Sequence, residues 1–301
     1  MVLFEAIGKV SLDYRPSPRL VQHLPTMRLF GIFGISICIA ISTAPSGAQE
    51  LSSRPTTAHD LQSIVGAKVL RVAITRFDLP SFHIHQPGGV LVGVEIDMAR
   101  QIAQALGVNV EFLEDANSFD AVVDLVAEER ADIGISKLSQ TYRRLQRVRF
   151  SEPYVTLRHA LLFNRAAVAR EANGRPPAVV LQRYHGRLGV IAGSAYVDFA
   201  KTNFPGATLV EAISWDDAIA SLLAGRVDAI YRDEFEIRRI VNRSPALNVK
   251  FGTAAIVDQN ALLSIAICDT CSKLQELINY HLGRTKDNIT LKRLLDSDAS
   301  K

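Results

Sequence analysis

From Val69 onward, short runs of β-branched and apolar residues alternate with stretches in which apolar positions recur every three or four residues. That alternation is the mark of an α/β fold with parallel strands. Strands are predicted over Val69 to Ile74, Val108 to Leu113, Asp132 to Ile135, His159 to Phe163, Arg187 to Ile191, Ala207 to Glu211, Asp228 to Tyr231 and Leu262 to Ile267. Met98, Ile102 and Leu106 are spaced by four, and Val122, Val123 and Val126 share one side, which predicts sheet-covering helices over Ile96 to Leu106 and Phe119 to Val126. Ser214 and Asp217 read as a capping box for a helix that buries Ile219, Leu222 and Leu223 and ends at Gly225. The run Gly225-Arg226-Val227-Asp228-Ala229-Ile230 then echoes Glu129-Arg130-Ala131-Asp132-Ile133-Gly134. In both, a helix closes, Arg-x-Asp intervenes and a strand begins. Two lobes of similar build follow, with a cleft between them that the carboxyl ends of the strands face.

The start of the chain has a different texture. Met27-Arg28, the apolar run Leu29 to Ile41 and the small residues Ser46-Gly47-Ala48 form a positive, apolar and small-x-small series, as in a secretory signal peptide cut after Ala48. Residues 1 to 26 are either an over-long start, with Met27 the initiator, or an extended positive region. Of the three cysteines, Cys38 leaves with this segment and Cys268 and Cys271 stay, too few for a disulfide framework. No run reaches the roughly 18 apolar residues of a membrane span. The 34 basic and 31 acidic residues are interleaved, which leaves no electrostatic footprint for nucleic acid. The expected mature protein is exported and nearly neutral.

Candidate chemistry sits at the strand ends. Asp132 to Ile135 runs into Ser136-Lys137-Leu138-Ser139-Gln140, and Thr141 is a natural N-cap for a helix whose Arg144 offers a planar fork to a carboxylate. The plainer reading is a capped surface helix with solvated arginines. Arg187 to Ile191 runs into Gly193-Ser194-Ala195, where the N–H of Ala195 opens a helix and meets an anion. Asp233 follows the strand Asp228 to Tyr231; it either holds an ammonium group or caps the helix with Phe235 and Ile237. Two carboxylate-seeking ends and one ammonium-seeking acid outline an α-amino acid.

Val69 to Ile74, Pro80-Ser81-Phe82, Gly93-Val94-Glu95-Ile96-Asp97, Asp132 to Ser136, Thr141-x-x-Arg144 and Phe150-Ser151-Glu152-Pro153-Tyr154 together resemble the periplasmic amino-acid-binding proteins of ABC importers, the extracellular solute-binding protein family 3. The resemblance spans about residues 66 to 297. It implies a two-lobed periplasmic-binding-protein fold of type II, with residues 49–160 and 260–301 in one lobe, 161–259 in the other, and crossovers near His159 to Phe163 and Ile256 to Leu262. It also implies a monomer that takes an amino acid or related small polar carboxylate, closes on it in the periplasm and delivers it to an ABC permease, without catalysis. In this resemblance Arg144 clamps the ligand carboxylate with help from Ser139 and the Ala195 N–H, Asp233 takes the α-ammonium and Phe119 packs on the ligand side chain. Ser136, Thr141 and Ser194 complete the near shell. Two positions depart from the family: Lys137 stands where a small residue is frequent, and Thr75-Arg76-Phe77-Asp78-Leu79 lacks the usual aromatic just before the proline. Arg76 and Lys137 favour an acidic or polar ligand, Asp78 favours a basic one, and solvated Arg76 and Lys137 are the bland alternative.

The resemblance also extends to cyclohexadienyl dehydratases, which makes an enzyme on the same scaffold the second reading, with Asp78 and Glu152 as candidate acids. Cys268-Asp269-Thr270-Cys271 reads as a local disulfide or two quiet thiols, and His83 and His85 as rim or surface groups. The sequence has neither a Gly-x-Ser-x-Gly elbow nor a Walker loop and asks for no metal or cofactor.

Overall fold

In the computed structural model, which describes residues 61–285 and 289–299, the β-branched runs build two separate five-stranded sheets. The expected leader, residues 1–48, lies outside the described residues. The strands are β1 (Val69–Thr75), β2 (Ile84–Gln86), β3 (Val90–Val92), β4 (Asn109–Ala116), β5 (Ile133–Gly134), β6 (Arg149–Phe150), β7 (Val155–Asn164), β8 (Arg187–Ile191), β9 (Thr208–Ala212), β10 (Ala229–Asp233), β11 (Phe251–Leu263) and β12 (Ala266–Ile267). The first sheet has the order β4-β1-β5-β12-β6 and the second β11-β7-β10-β8-β9, while β2 and β3 form a separate hairpin over Gly88-Gly89. The central pairs β1–β5, β1–β4, β8–β10 and β8–β9 are parallel, as expected.

The exceptions are the strands that carry the chain between sheets. β7 pairs antiparallel with both β10 and β11, and β12 pairs antiparallel with β5 and β6. The chain enters the second sheet through Ser151 to Tyr154 and returns through Ser264 and Ile265. The single strand expected over Leu262 to Ile267 is therefore two strands in different sheets. Apart from Ser264 the run is apolar, and the backbone groups freed at the break find partners from elsewhere. Ser264 N–H donates to the Leu138 carbonyl and Ile265 N–H to the Ser151 hydroxyl, both buried.

The echo noted in the sequence is a structural repeat. Ser118 caps the helix Phe119–Ala127 through Ala121 N–H, and Ser214 caps Trp215–Leu223 through Asp217 N–H. Glu129 and Gly225 each turn the chain with φ near 57° and 70°. Asp132 then accepts the N–H and guanidinium of Arg71 on β1, and Asp228 accepts the same two groups of Arg187 on β8. Each Arg-Asp pair clamps a parallel strand pair at its amino end, which leaves the carboxyl ends free for other work.

Apolar helix faces cover the sheets and bury one continuous core in the first lobe and two smaller clusters in the second. A disulfide joins Cys268 to Cys271 between β12 and the helix Ser272–Thr285. No helix among the described residues is long and apolar enough to cross a membrane.

Gly93 precedes the helix Val94–Leu106 with φ 135°, and a Cβ there would lie 2.1 Å from the Phe82 carbonyl oxygen. No side chain fits without moving backbone. Gly93→Ala is expected to destabilise the protein by at least about 2 kcal/mol, from backbone strain and overlap together. Chemical denaturation with an unchanged midpoint would show that the helix start yields freely.

Candidate functional site

At the carboxyl end of β5 the chain passes through Ile135 and Ser136 into Lys137, whose φ of 46° is left-handed. Its N–H is held by Glu95 Oε1 at 2.6 Å. Glu95 is fully buried and also accepts from the Tyr154 hydroxyl, while its other oxygen meets His83 Nδ1 at 3.2 Å. Burial, then the nearby Glu95 charge, pushes the Tyr154 phenol well above its ordinary range, so it stays protonated and donating. This pinned turn sends the Lys137 side chain across to the second sheet. There Nζ lies 2.9 Å from Glu236 Oε1 and 3.3 Å from Asp233 Oδ2, and over the faces of Phe82 and Phe235 at 4.7 and 4.9 Å. Burial alone would raise the Glu236 pKa, but Lys137, Arg232 and Arg239 draw it down to about 2.

Arg232, one residue before Asp233 on β10, shares the inward register of Ile230 and is 4% exposed. Its guanidinium carbon sits 5.4 Å from the ring centres of Phe119 and Trp215 and 5.9 Å from that of Tyr196. Nε donates to Asp233 Oδ2 at 3.4 Å. Nη1 is buried with no hydrogen-bond partner among the described residues, and the same holds for the Tyr196 hydroxyl and Trp215 Nε1.

Arg144 stands across from these groups, in a helix of only four residues, Tyr142–Leu145, whose N-cap Thr141 accepts the Arg144 N–H. Its Nε and Nη2 donate to Asp120 Oδ1 at 3.0 and 2.9 Å and Nη1 to the Ser139 carbonyl at 3.0 Å. These bonds use three of the five guanidinium N–H groups. Arg143 reaches both Asp120 and, at 3.1 Å, Asp198 on the helix Ala195–Asn203 of the second lobe. The lobes also meet through backbone, since Asp120 N–H donates to the Gly193 carbonyl at 2.9 Å. A Cβ on Gly193, whose φ is 64°, would come within 2.8 Å of Ser118 Cβ.

A cavity lies between these elements. Phe119, Lys137, Ser139, Arg144 and Leu263 line it from one side, and Ser194, Ala195, Tyr196, Arg232 and Asp233 from the other. Its volume of about 10 Å³ has room for one water-sized group. Three of the lining side chains are cations and one is an anion.

Residues 70–175 match the family model of the bacterial extracellular solute-binding proteins, family 3. Over this stretch, about a third of the chain, the sequence resembles that family. It is 24% identical to the histidine-binding periplasmic protein of Salmonella typhimurium over 212 residues, 68% of this chain and 78% of that protein. An amino acid ABC transporter substrate-binding protein from Streptococcus pneumoniae, solved bound to L-arginine, is 25% identical with a TM-score of 0.62, covering 80% of this chain and 97% of that one. The ancestral amino acid-binding protein AncCDT-1, a precursor of cyclohexadienyl dehydratase, shares the fold at 24% identity and a TM-score of 0.59, over 78% and 97% of the two chains. The two-lobed fold is thus shared with these two solved structures.

Of the residues singled out in the sequence, Phe119, Lys137, Ser139, Arg144, Ser194, Ala195 and Asp233 line the cavity together. Thr141 and Ser136 stand behind them. Thr141 caps Arg144, and the Ser136 hydroxyl accepts the Thr75 N–H at 2.9 Å. Arg76 and Asp78 lie outside the lining on exposed loop, where Asp78 accepts from His85 N–H and meets its Nδ1 at 2.8 Å. Glu152 is exposed as well, with its N–H on Asn279 Oδ1. The Ser194 hydroxyl donates to the Ile191 carbonyl, which leaves the helix start uncapped by a side chain. Sequence reasoning missed Arg232, Asp120, Glu236 and Tyr196. For Arg232 the signal was available, because alternation along β10 puts it on the same face as Ile230.

His159 supports the rings beneath the cavity, 5.3 Å from Tyr196. Asn203 Nδ2 donates to the Tyr231 hydroxyl, which also pairs with His159 Nδ1. Burial lowers the His159 pKa to about 4, against the raising pull of Asp233. A folded value below the unfolded one means a contribution that is complete above about pH 6.5 and lost as pH falls toward 4. His159→Gln is expected to flatten the fall in stability across that window by on the order of 3 kcal/mol. Denaturation midpoints measured from pH 7 to pH 4 test it, and equal slopes in the two proteins would place the titration elsewhere. Gly193→Ala, by holding the lobes apart at Ser118, is expected to weaken ligand binding several-fold; calorimetry that gives an unchanged affinity would show that closure does not need this contact.

Proposed function

We propose that this protein captures an amino acid or related small polar carboxylate between its two lobes in the periplasm and delivers it to an ABC importer. The observation that carries the reading is Arg144. It is buried and locked in orientation by Asp120 and Ser139, it retains two N–H groups, and it lines a cavity completed by the opposite lobe. Opposite it, the helix Ala195–Asn203 begins at the cavity wall, and its first N–H groups have no partner within the helix. A carboxylate between these donors would join the lobes, and its contacts in the closed state alone would shift the hinge equilibrium toward closure. The periplasmic relatives, and the neighbour solved with L-arginine, support this reading.

Charge-assisted bonds of this kind contribute about 1.5 to 3 kcal/mol. Arg144→Ala is therefore expected to lower affinity at least about tenfold. Calorimetry against the ligand identified by a thermal-shift screen of amino acids, dicarboxylates and prephenate measures this directly, and unchanged affinity would remove Arg144 from the site. Incubation with prephenate gives the dehydratase reading its own test. Formation of phenylpyruvate would replace capture with turnover, although Asp78 and Glu152, the acids expected to serve it, both stand outside the cavity lining.

A further inference from the structure

We infer that the cleft selects a small dicarboxylate that lacks an α-ammonium group, with Arg232 binding its second carboxylate. The inference rests on the capture reading above and narrows its ligand. Its first support is the place where an amino acid's ammonium would go. Asp233 already has every oxygen engaged: Oδ1 accepts the Glu236 N–H at 3.1 Å, and Oδ2 faces Lys137 Nζ at 3.3 Å and Arg232 Nε at 3.4 Å. The Lys137 ammonium lies between two carboxylates and over two aromatic faces, the surroundings an ammonium ion prefers. The protein thus fills its own ammonium site. A second ammonium would bring a third cation against Asp233, and like charges at that distance repel strongly in a dry interior.

The second support is Arg232 itself. It is 4% exposed, it lines the cavity, and its Nη1 has no hydrogen-bond partner among the described residues. A buried guanidinium donor left without an acceptor is costly, and a carboxylate is the acceptor that matches its planar fork. Around it, Lys137, Arg232 and Arg239 face the two carboxylates of Asp233 and Glu236, a surplus of one positive charge. Arg144 and Arg143 are balanced by Asp120 and Asp198. One ligand carboxylate on Arg144 and another on Arg232 would meet both donors. The aromatic rings of Phe119, Trp215 and Tyr196 exclude water from the second pairing and so strengthen it.

Calorimetry on the purified protein with succinate, malate and 2-oxoglutarate, set beside aspartate, glutamate, glutamine, arginine and histidine, tests the inference. At least one dicarboxylate without an ammonium group is expected to bind tenfold or more tighter than its ammonium-bearing counterpart. Arg232→Met, which leaves an unbranched apolar chain within the rings, is expected to weaken that dicarboxylate at least tenfold. Lys137→Ala frees Asp233 and is expected to shift the preference toward aspartate or glutamate. Thermal unfolding establishes that each variant is folded, and the wild-type panel decides the question even where one is not. Tighter binding of any amino acid than of its ammonium-free analogue overturns the inference while leaving capture intact. Binding of none of these compounds overturns the capture reading with it.

Discussion

Lys137 carries its ammonium into a place with almost no water, where an unpaired charge would either lose its proton or draw the structure open. Its partners settle the matter: Glu236 and Asp233 lie within 3.3 Å and two aromatic faces lie within 5 Å. Because those partners sit at the end of β10 and on the helix Glu234–Arg243, while Lys137 sits beyond β5, the pairing couples the two lobes. Much of the surrounding architecture serves it. The buried Glu95 fixes the Lys137 backbone, Tyr154 and His83 fix Glu95, and Arg239 stays with Glu236 at 3.0 Å from outside. A buried pair of this kind adds little net stability, since desolvation offsets most of its attraction, and its effect is to define which arrangement of the lobes is allowed.

The fold was legible wherever local pattern and tertiary demand agree. β1 and β8 coincide with their β-branched runs almost residue for residue, and the capped helices begin at Ser118 and Ser214 as their sequences imply. Pattern failed where the chain changes sheet. Leu262 to Ile267 is apolar apart from Ser264, yet its middle leaves one ladder and joins another, and the groups that permit this, Leu138 and Ser151, lie more than a hundred residues away. The site shows the same division. Strand ends located Arg144, Ser139, Ala195 and Asp233, because a strand's carboxyl end is a topological place that sequence can mark. Nothing local could say that Arg76 and Asp78 would stay on an exposed loop, or that Asp120 would be the carboxylate on Arg144. Those facts depend on directions of side chains from separate elements meeting in space.

The repeated Arg-Asp clamp explains how the two lobes can diverge at one end while matching at the other. Asp132 with Arg71 and Asp228 with Arg187 fix the amino ends of equivalent strand pairs in the same way. Register and spacing are then secured far from the cleft. The carboxyl ends are left to carry unlike groups, Lys137 and Ser139 in one lobe and Arg232 and Asp233 in the other. Two copies of one supersecondary unit thus supply the two unlike walls of a single cavity.

The contact between Gly193 and Ser118 has a mechanical consequence. A glycine Cα and a carbonyl press there against a side chain's first carbon and an N–H, with no flexible atoms between, and packed protein of this kind compresses very little. In the closure proposed above, a swing of one lobe toward the other would end on a hard stop rather than on a cushion. A cargo taller than the gap would prop the lobes apart and draw Asp198 away from Arg143. The outer surface would then register the size of what is inside, as a gauge block does between the jaws of a caliper.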